Sequence, residues 1–143
     1  MITIKEDPPY VYYRGATFTV EWYREPGGRM RAKEYYDALP LEDQKRLDDL
    51  VDYLADAPFG TRLAKSLYNL EDAENQIYAF KPRSHRFFDF MTLGAKIIIV
   101  NAYRKHSQQM TKKDRHVLKA VIEARKSYLS RTNTGVYDDR LTE

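Results

Sequence analysis

The stretch "QIYAFKPRSHRFFDFMTLGAKIIIVNAYRKH", Gln76 to His106, decides how this chain folds. It holds three apolar segments, Gln76 to Arg83, His85 to Thr92 and Lys96 to Tyr103. Ser84 alone separates the first two, and Leu93-Gly94-Ala95 the second two. Links this short join neighbouring antiparallel strands, so the stretch reads as a three-strand meander. Ile97 to Val100 is apolar on both faces, which marks the third strand as central in its sheet.

That topology gathers charge. Lys81 and Arg83 lie at the end of the first strand and Arg86 at the start of the second, across the turn. The third strand runs in the same direction as the first, so Arg104, Lys105 and His106 reach the same rim. Each pair of like charges at contact costs about 1 kcal/mol even in water. A phosphate backbone would offset that cost.

Outward from the meander, residues 1–16 carry Pro8 and Pro9 and read as an extended lead-in or an added edge segment. Thr17 to Tyr23 alternates Phe18, Val20 and Trp22 with polar residues, the period of a half-buried strand. Pro26-Gly27-Gly28 is turn chemistry. Arg29 to Leu39 reads as a short helix ended by Pro40, which suits the first turn of the next. That second helix carries Leu47, Leu50, Val51 and Leu54 as an apolar stripe, and Pro58 stops it. Residues 59–75 read as a connection anchored by Leu63, Leu67 and Leu70. The last helix starts at Thr111, which forms a capping box with Asp114, and buries Val117, Leu118, Val121, Ile122, Tyr128 and Leu129. From Arg131 the chain turns polar. The expected fold is α+β: an N-terminal strand and a three-strand meander form a small, mostly antiparallel sheet, covered by a helical hairpin and a C-terminal helix.

Composition narrows the function. A chain of 143 residues fits one domain. It has no cysteine, so disulfides, thiolate metal sites and a cysteine nucleophile are excluded. No apolar run is long enough to span a bilayer, and the N-terminus lacks the pattern of a secretion signal, so the cytoplasm is the expected location. Nucleotide-cradling glycine motifs and HExxH are absent, and His85, His106 and His116 have no metal-ligand spacing. Asp48, Asp52 and Asp56 share a helix face and could hold a hard cation, but such a stripe more often faces solvent. Neither metal nor cofactor is expected. Residues 1–75 hold 10 Lys+Arg and 15 Asp+Glu, whereas residues 76–143 hold 14 and 6. The basic second half points to a polyanionic partner, although uneven faces alone would also produce it.

RNA cleavage needs what such a rim holds. The 2′-hydroxyl must lose a proton, the phosphorane charge must be stabilised and the 5′-oxygen must gain a proton. Arginine stabilises the charge through paired donors. A lysine among cations is pushed toward proton transfer, and imidazole changes charge near neutrality. Taken singly, His106 could be an ordinary loop residue, and Lys112, Lys113 and Arg115 a solvated helix face.

Over about residues 17–130 the chain resembles the RelE/HigB-type toxins of bacterial and phage-derived toxin–antitoxin pairs. Ile77 to Lys81 matches a family block, with Ala79 for Glu and Lys81 for Arg. His85-Arg86-Phe87-Phe88 matches a second. Tyr103-Arg104-Lys105-His106-Ser107-Gln108 matches a third, with His106 in the place of a lysine and Thr111 where a proline is usual. Residues 1–16 and 131–143 lie outside the pattern as an N-terminal extension and a C-terminal tail. The resemblance implies a metal-independent endoribonuclease that cuts mRNA on the ribosome and is blocked by an antitoxin with a helix-turn-helix DNA-binding domain. It implies that Lys81 and Arg86 hold the scissile phosphate with help from Arg83, and that Lys105 and His106 transfer protons. Arg104, Lys112, Lys113 and Arg115 would track the RNA backbone. Two alternatives share the fold: a ParE-like gyrase poison, and a non-catalytic member that binds RNA or protein.

Overall fold

In the computed structural model, which describes residues 6–133, nine elements follow in order. They are β1 (Val11–Arg14), β2 (Thr19–Trp22), α1 (Arg31–Asp37), α2 (Leu41–Asp56), β3 (Tyr68–Asp72), β4 (Ile77–Phe80), β5 (His85–Met91), β6 (Lys96–Arg104) and α3 (Lys112–Asn133). The fold is α+β, as the sequence implies, but the sheet is larger and mixed. Six strands lie in the order β1-β2-β6-β5-β4-β3, and β2 runs parallel to β6. All the other pairs are antiparallel.

Both additional strands sit at edges. The lead-in supplies β1, the added edge segment of the sequence reading, which pairs with β2. The connection at 59–75 contains β3, paired with β4, a strand that a search for apolar runs passes over. Its anchor is Tyr68, which is buried, whereas Leu67 and Leu70 are exposed. An edge strand needs only one buried side chain to dock, so its composition stays polar. The β4–β5 link also runs over four residues, Lys81 to Ser84, with Arg83 in the left-handed region at φ 57°.

The meander behaves as its sequence dictates. β6 is central, and Ile97 to Val100 are all buried. Ile97 and Ile99 pack toward α2 with Leu47, Val51 and Leu54, while Ile98 and Val100 pack toward α3 with Val121 and Tyr128. The sheet is therefore the middle of three layers. β2 departs from the half-buried reading, because Glu21, on its polar side, is fully buried and pairs with Lys96 at 3.3 Å. Along α3, Val121 and Tyr128 are buried, Val117, Leu118 and Ile122 partly so, and Leu129 exposed. The capping box forms in full. Thr111 N–H donates to Asp114 Oδ2 at 3.0 Å, and Asp114 N–H donates to Thr111 Oγ1 at 3.1 Å.

The acidic stripe of α2 is more than a solvated face. Tyr12 and Tyr36 donate to Asp48 Oδ1 at 2.5 and 2.8 Å, and Tyr13 donates to Asp56 Oδ2 at 2.6 Å. The stripe thus fastens β1 to α2. Its hydrogen bond to Asp56 pushes the Tyr13 phenol up to about 12 and holds the Asp56 carboxyl below its ordinary range.

Gly15 lets this junction close. A Cβ there would lie 2.5 Å from the carbonyl oxygen of Ala55, the same oxygen that accepts Thr17 N–H and Phe18 N–H. Gly15→Ala is expected to destabilise the protein by about 1–3 kcal/mol, since backbone rather than a flexible side chain must move. Chemical denaturation checks this, and an unchanged midpoint would refute the close approach.

Candidate functional site

The rim where β4 ends, β5 begins and β6 ends collects the basic residues that the meander reading places there. In the β5–β6 ladder His85 lies opposite Arg104, and Arg86 opposite Tyr103. Lys105 N–H donates to the Ser84 carbonyl at 2.7 Å, tying the end of β6 to the β4–β5 turn.

A bulge sorts these residues between the two faces of the sheet. Phe88 pairs with Asn101 and Asp89 with Ile99, so Val100 is an additional residue on β6. A bulge resets the alternation of side chains. Val100 points toward α3, Ala102 toward α2 and Tyr103 toward α3 again. Arg104 consequently shares its face with His85 and the helical hairpin, and Arg86 shares its face with Tyr103, Phe88 and α3.

The predicted cations differ in how far their charges are occupied. Lys81 Nζ lies 2.9 Å from Glu71 Oε1, so its ammonium faces a carboxylate rather than the cation cluster expected from topology. Arg83 reaches α2, with contacts of 3.6 Å to Glu42 and 3.5 Å to Asp43. Arg86 is held differently. One of its Nη atoms donates to the carbonyls of Arg83 and His85 at 2.8 and 2.9 Å, and no carboxylate pairs with it among the described residues. Its guanidinium is thus fixed by the carbonyls of its own turn. Arg104 and His106 are exposed and Lys105 half-buried, and none of the three has an ion pair among the described residues. Lys112, Lys113 and Arg115 are exposed on the first turn of α3, which the Asp114 cap anchors. Asp114 and Glu71 act on Tyr103 against Arg86: burial first, then the two carboxylates, raise its phenol, and Arg86 lowers it. The start of α3 therefore borders the Arg86 side of the rim.

Sequence reasoning passed over a second group at this rim. His85 is 9% exposed. Tyr35 of α1 lies with its hydroxyl 2.7 Å from His85 Nδ1, and Asp43 of α2 lies with Oδ2 3.2 Å from His85 Nε2. The signal in the sequence was weak: a histidine in a strand beside Phe87, with partners some 40 to 50 positions away. Only the packing of the hairpin brings them together.

An apolar cleft of about 490 Å³, lined by Phe18, Phe59, Tyr68, Tyr78 and Met91 among others, shares no residue with the rim. Among the described residues no helix is long and apolar enough to cross a membrane. In comparisons with known proteins, no family model and no curated protein matches this chain.

Proposed function

We propose that this chain is an endoribonuclease of the RelE/HigB-like kind, the toxin of a toxin–antitoxin pair, cleaving mRNA on the ribosome in the cytoplasm. The observation that carries this reading is Arg86, a guanidinium fixed by two carbonyls and paired with no carboxylate among the described residues. Fixing a half-buried cation with no counter-charge has a Coulomb cost that an anion at the rim would offset. A phosphoryl oxygen at the rim would meet the remaining donors of Arg86, as a developing phosphorane requires. The exposed Arg104, Lys112, Lys113 and Arg115 extend the positive surface along which a phosphate backbone would run. Lys105 and His106 follow β6 directly, where a leaving 5′-oxygen would take its proton. An antitoxin would neutralise this rim, and a helix-turn-helix protein with an acidic segment suits that task.

The test is cleavage of ribosome-bound mRNA by the purified chain in the presence of EDTA, with growth arrest on expression. Products should carry 2′,3′-cyclic phosphate and 5′-hydroxyl ends. Intact mRNA at all enzyme concentrations would sink the reading. A second reading, RNA binding without cleavage, gains support from the Lys81–Glu71 and Arg83–Asp43 pairs, which occupy two of the five proposed catalytic side chains. Salt-sensitive RNA binding with no cleavage would select it. Gyrase inhibition with intact mRNA would instead point to the ParE-like alternative.

A further inference from the structure

The Tyr35, His85 and Asp43 side chains form a continuous hydrogen-bonded line that joins α1, β5 and α2 at the rim. The distances are 2.7 Å from the Tyr35 hydroxyl to His85 Nδ1 and 3.2 Å from His85 Nε2 to Asp43 Oδ2. One neutral tautomer satisfies both contacts: Nε2–H donates to Asp43 and Nδ1 accepts the Tyr35 O–H. This is the order carboxylate, imidazole, hydroxyl by which hydrolases activate an alcohol, with a phenol at the outer end. The inner end is braced. Asp43 and the imidazole both have side chains under 15% exposed, and Arg83 Nε stands 3.5 Å from the second Asp43 oxygen, with Glu42 beyond it. The ring of Tyr35 is set edge-on against Phe87, at 5.4 Å between centroids, and against His85 itself. The outer end is only half-buried and senses Arg104, the residue opposite His85 in the ladder. Burial raises the Tyr35 phenol, Arg104 pulls it down and Asp43 raises it.

We propose that Tyr35, His85 and Asp43 form a proton relay whose outer hydroxyl acts as the general base on an RNA 2′-hydroxyl held beside Arg104. This assignment rests on reading the rim as a ribonuclease. In the step, the 2′-O–H proton passes to the Tyr35 oxygen as the phenolic proton passes to His85 Nδ1. The freed 2′-oxygen forms its bond to phosphorus, the P–O5′ bond breaks and the 5′-oxygen takes a proton from Lys105 or His106. Asp43 balances the imidazolium, which afterwards returns its proton to water while Lys105 or His106 takes one back. Arg104 offsets charge on the phenolic oxygen, and Arg86, whose Nη atom lies 2.9 Å from the His85 carbonyl oxygen, meets the adjoining phosphate from the other side of the strand. Tyr35 is thereby the catalytic residue, and His85 and Asp43 position and drive it.

Single-turnover cleavage and RNA affinity of Tyr35→Phe, His85→Gln and wild type test the relay, with thermal melting as a check on folding. Tyr35→Phe keeps the ring packing and is expected to cleave about 100-fold more slowly with little change in affinity. The loss should fall on the cleavage step, with the RNA dissociation constant staying within about threefold of wild type. A Tyr35→Phe rate within about threefold of wild type overturns the relay. If wild type cleaves no RNA, the ribonuclease reading fails. The relay is then judged by acylation of Tyr35 with N-acetylimidazole, mapped by peptide mass spectrometry. Wild type should react at least about tenfold faster than His85→Gln, and equal rates overturn the relay on that route too.

Discussion

Arg86→Ala is expected to lower the single-turnover rate of mRNA cleavage by about 10²–10³-fold, the loss seen when one preorganised donor to a developing oxyanion is removed. The reason is specific to how this arginine is held. Its Nη hydrogen bonds to the carbonyls of Arg83 and His85 use part of the guanidinium as a mounting, leaving other N–H groups and the full positive charge for a ligand. Reorganisation is therefore already done before substrate arrives. Arg86→Lys should recover little, because a point-charge ammonium cannot hold two carbonyls and a phosphate in one plane. Arg83→Ala and Lys81→Ala provide the contrast. Their charges already face Asp43, Glu42 and Glu71, so each should cost much less. Equal losses in all three variants would mean that the rim acts as a diffuse field rather than through Arg86.

Asp89→Asn is expected to stabilise the protein at neutral and alkaline pH, and to do so less and less as the pH falls into the ordinary aspartate range. Asp89 is fully buried on β5, and burial raises its carboxyl well above that range, against the lowering effect of the Tyr68 hydrogen bond. Tyr68 donates to Oδ1 at 2.9 Å, but Oδ2 has no hydrogen-bond partner among the described residues. The sign follows from proton linkage. Above its unfolded value, the unfolded chain has lost the Asp89 proton while the folded chain keeps it. Unfolding therefore releases a proton, and stability declines with rising pH by about 1.4 kcal/mol per unit until the folded value is reached. Asparagine cannot titrate, so its stability curve should lack that slope. Urea denaturation of both proteins from pH 4 to pH 8 reads it directly. Parallel curves would show that Asp89 is charged in the fold and compensated in some other way.

Glu21 and Lys96 show how the same sheet handles a buried acid differently. Glu21 is also fully buried, but β6 runs parallel to β2 and sets Lys96 within 3.3 Å of its carboxylate. Pairing keeps a buried charge tolerable where a lone carboxyl instead holds its proton.

Much of this fold was legible because it rests on local chemistry. The period-two and all-apolar runs at Ile77–Phe80, His85–Met91 and Lys96–Arg104, the stripe Leu47, Val51 and Leu54, and the Thr111–Asp114 cap each state their structure within a few residues. Even the meeting of Arg86, Arg104 and Lys105 at one rim follows from the direction of strands joined by short links. What escaped was non-local. The edge segment read before residue 17 forms as β1, but its partner β2 shows only in the fold; β3 is an edge strand whose identity lies in its pairing with β4, and the parallel pairing of β2 with β6 joins segments more than seventy residues apart. The bulge at Val100 sends Arg86 and Arg104 to opposite faces. The sequence by itself determined which residues carry positive charge at the rim, since strand order and turn length are encoded locally. Only the tertiary structure decided which of those charges stay open. Counter-ions come from elements far away in the chain: Glu71 neutralises Lys81, Glu42 and Asp43 hold Arg83, and Tyr35 and Asp43 bracket His85. Coulomb and hydrogen-bond partners are chosen by distance in space, which no spacing along the chain reveals.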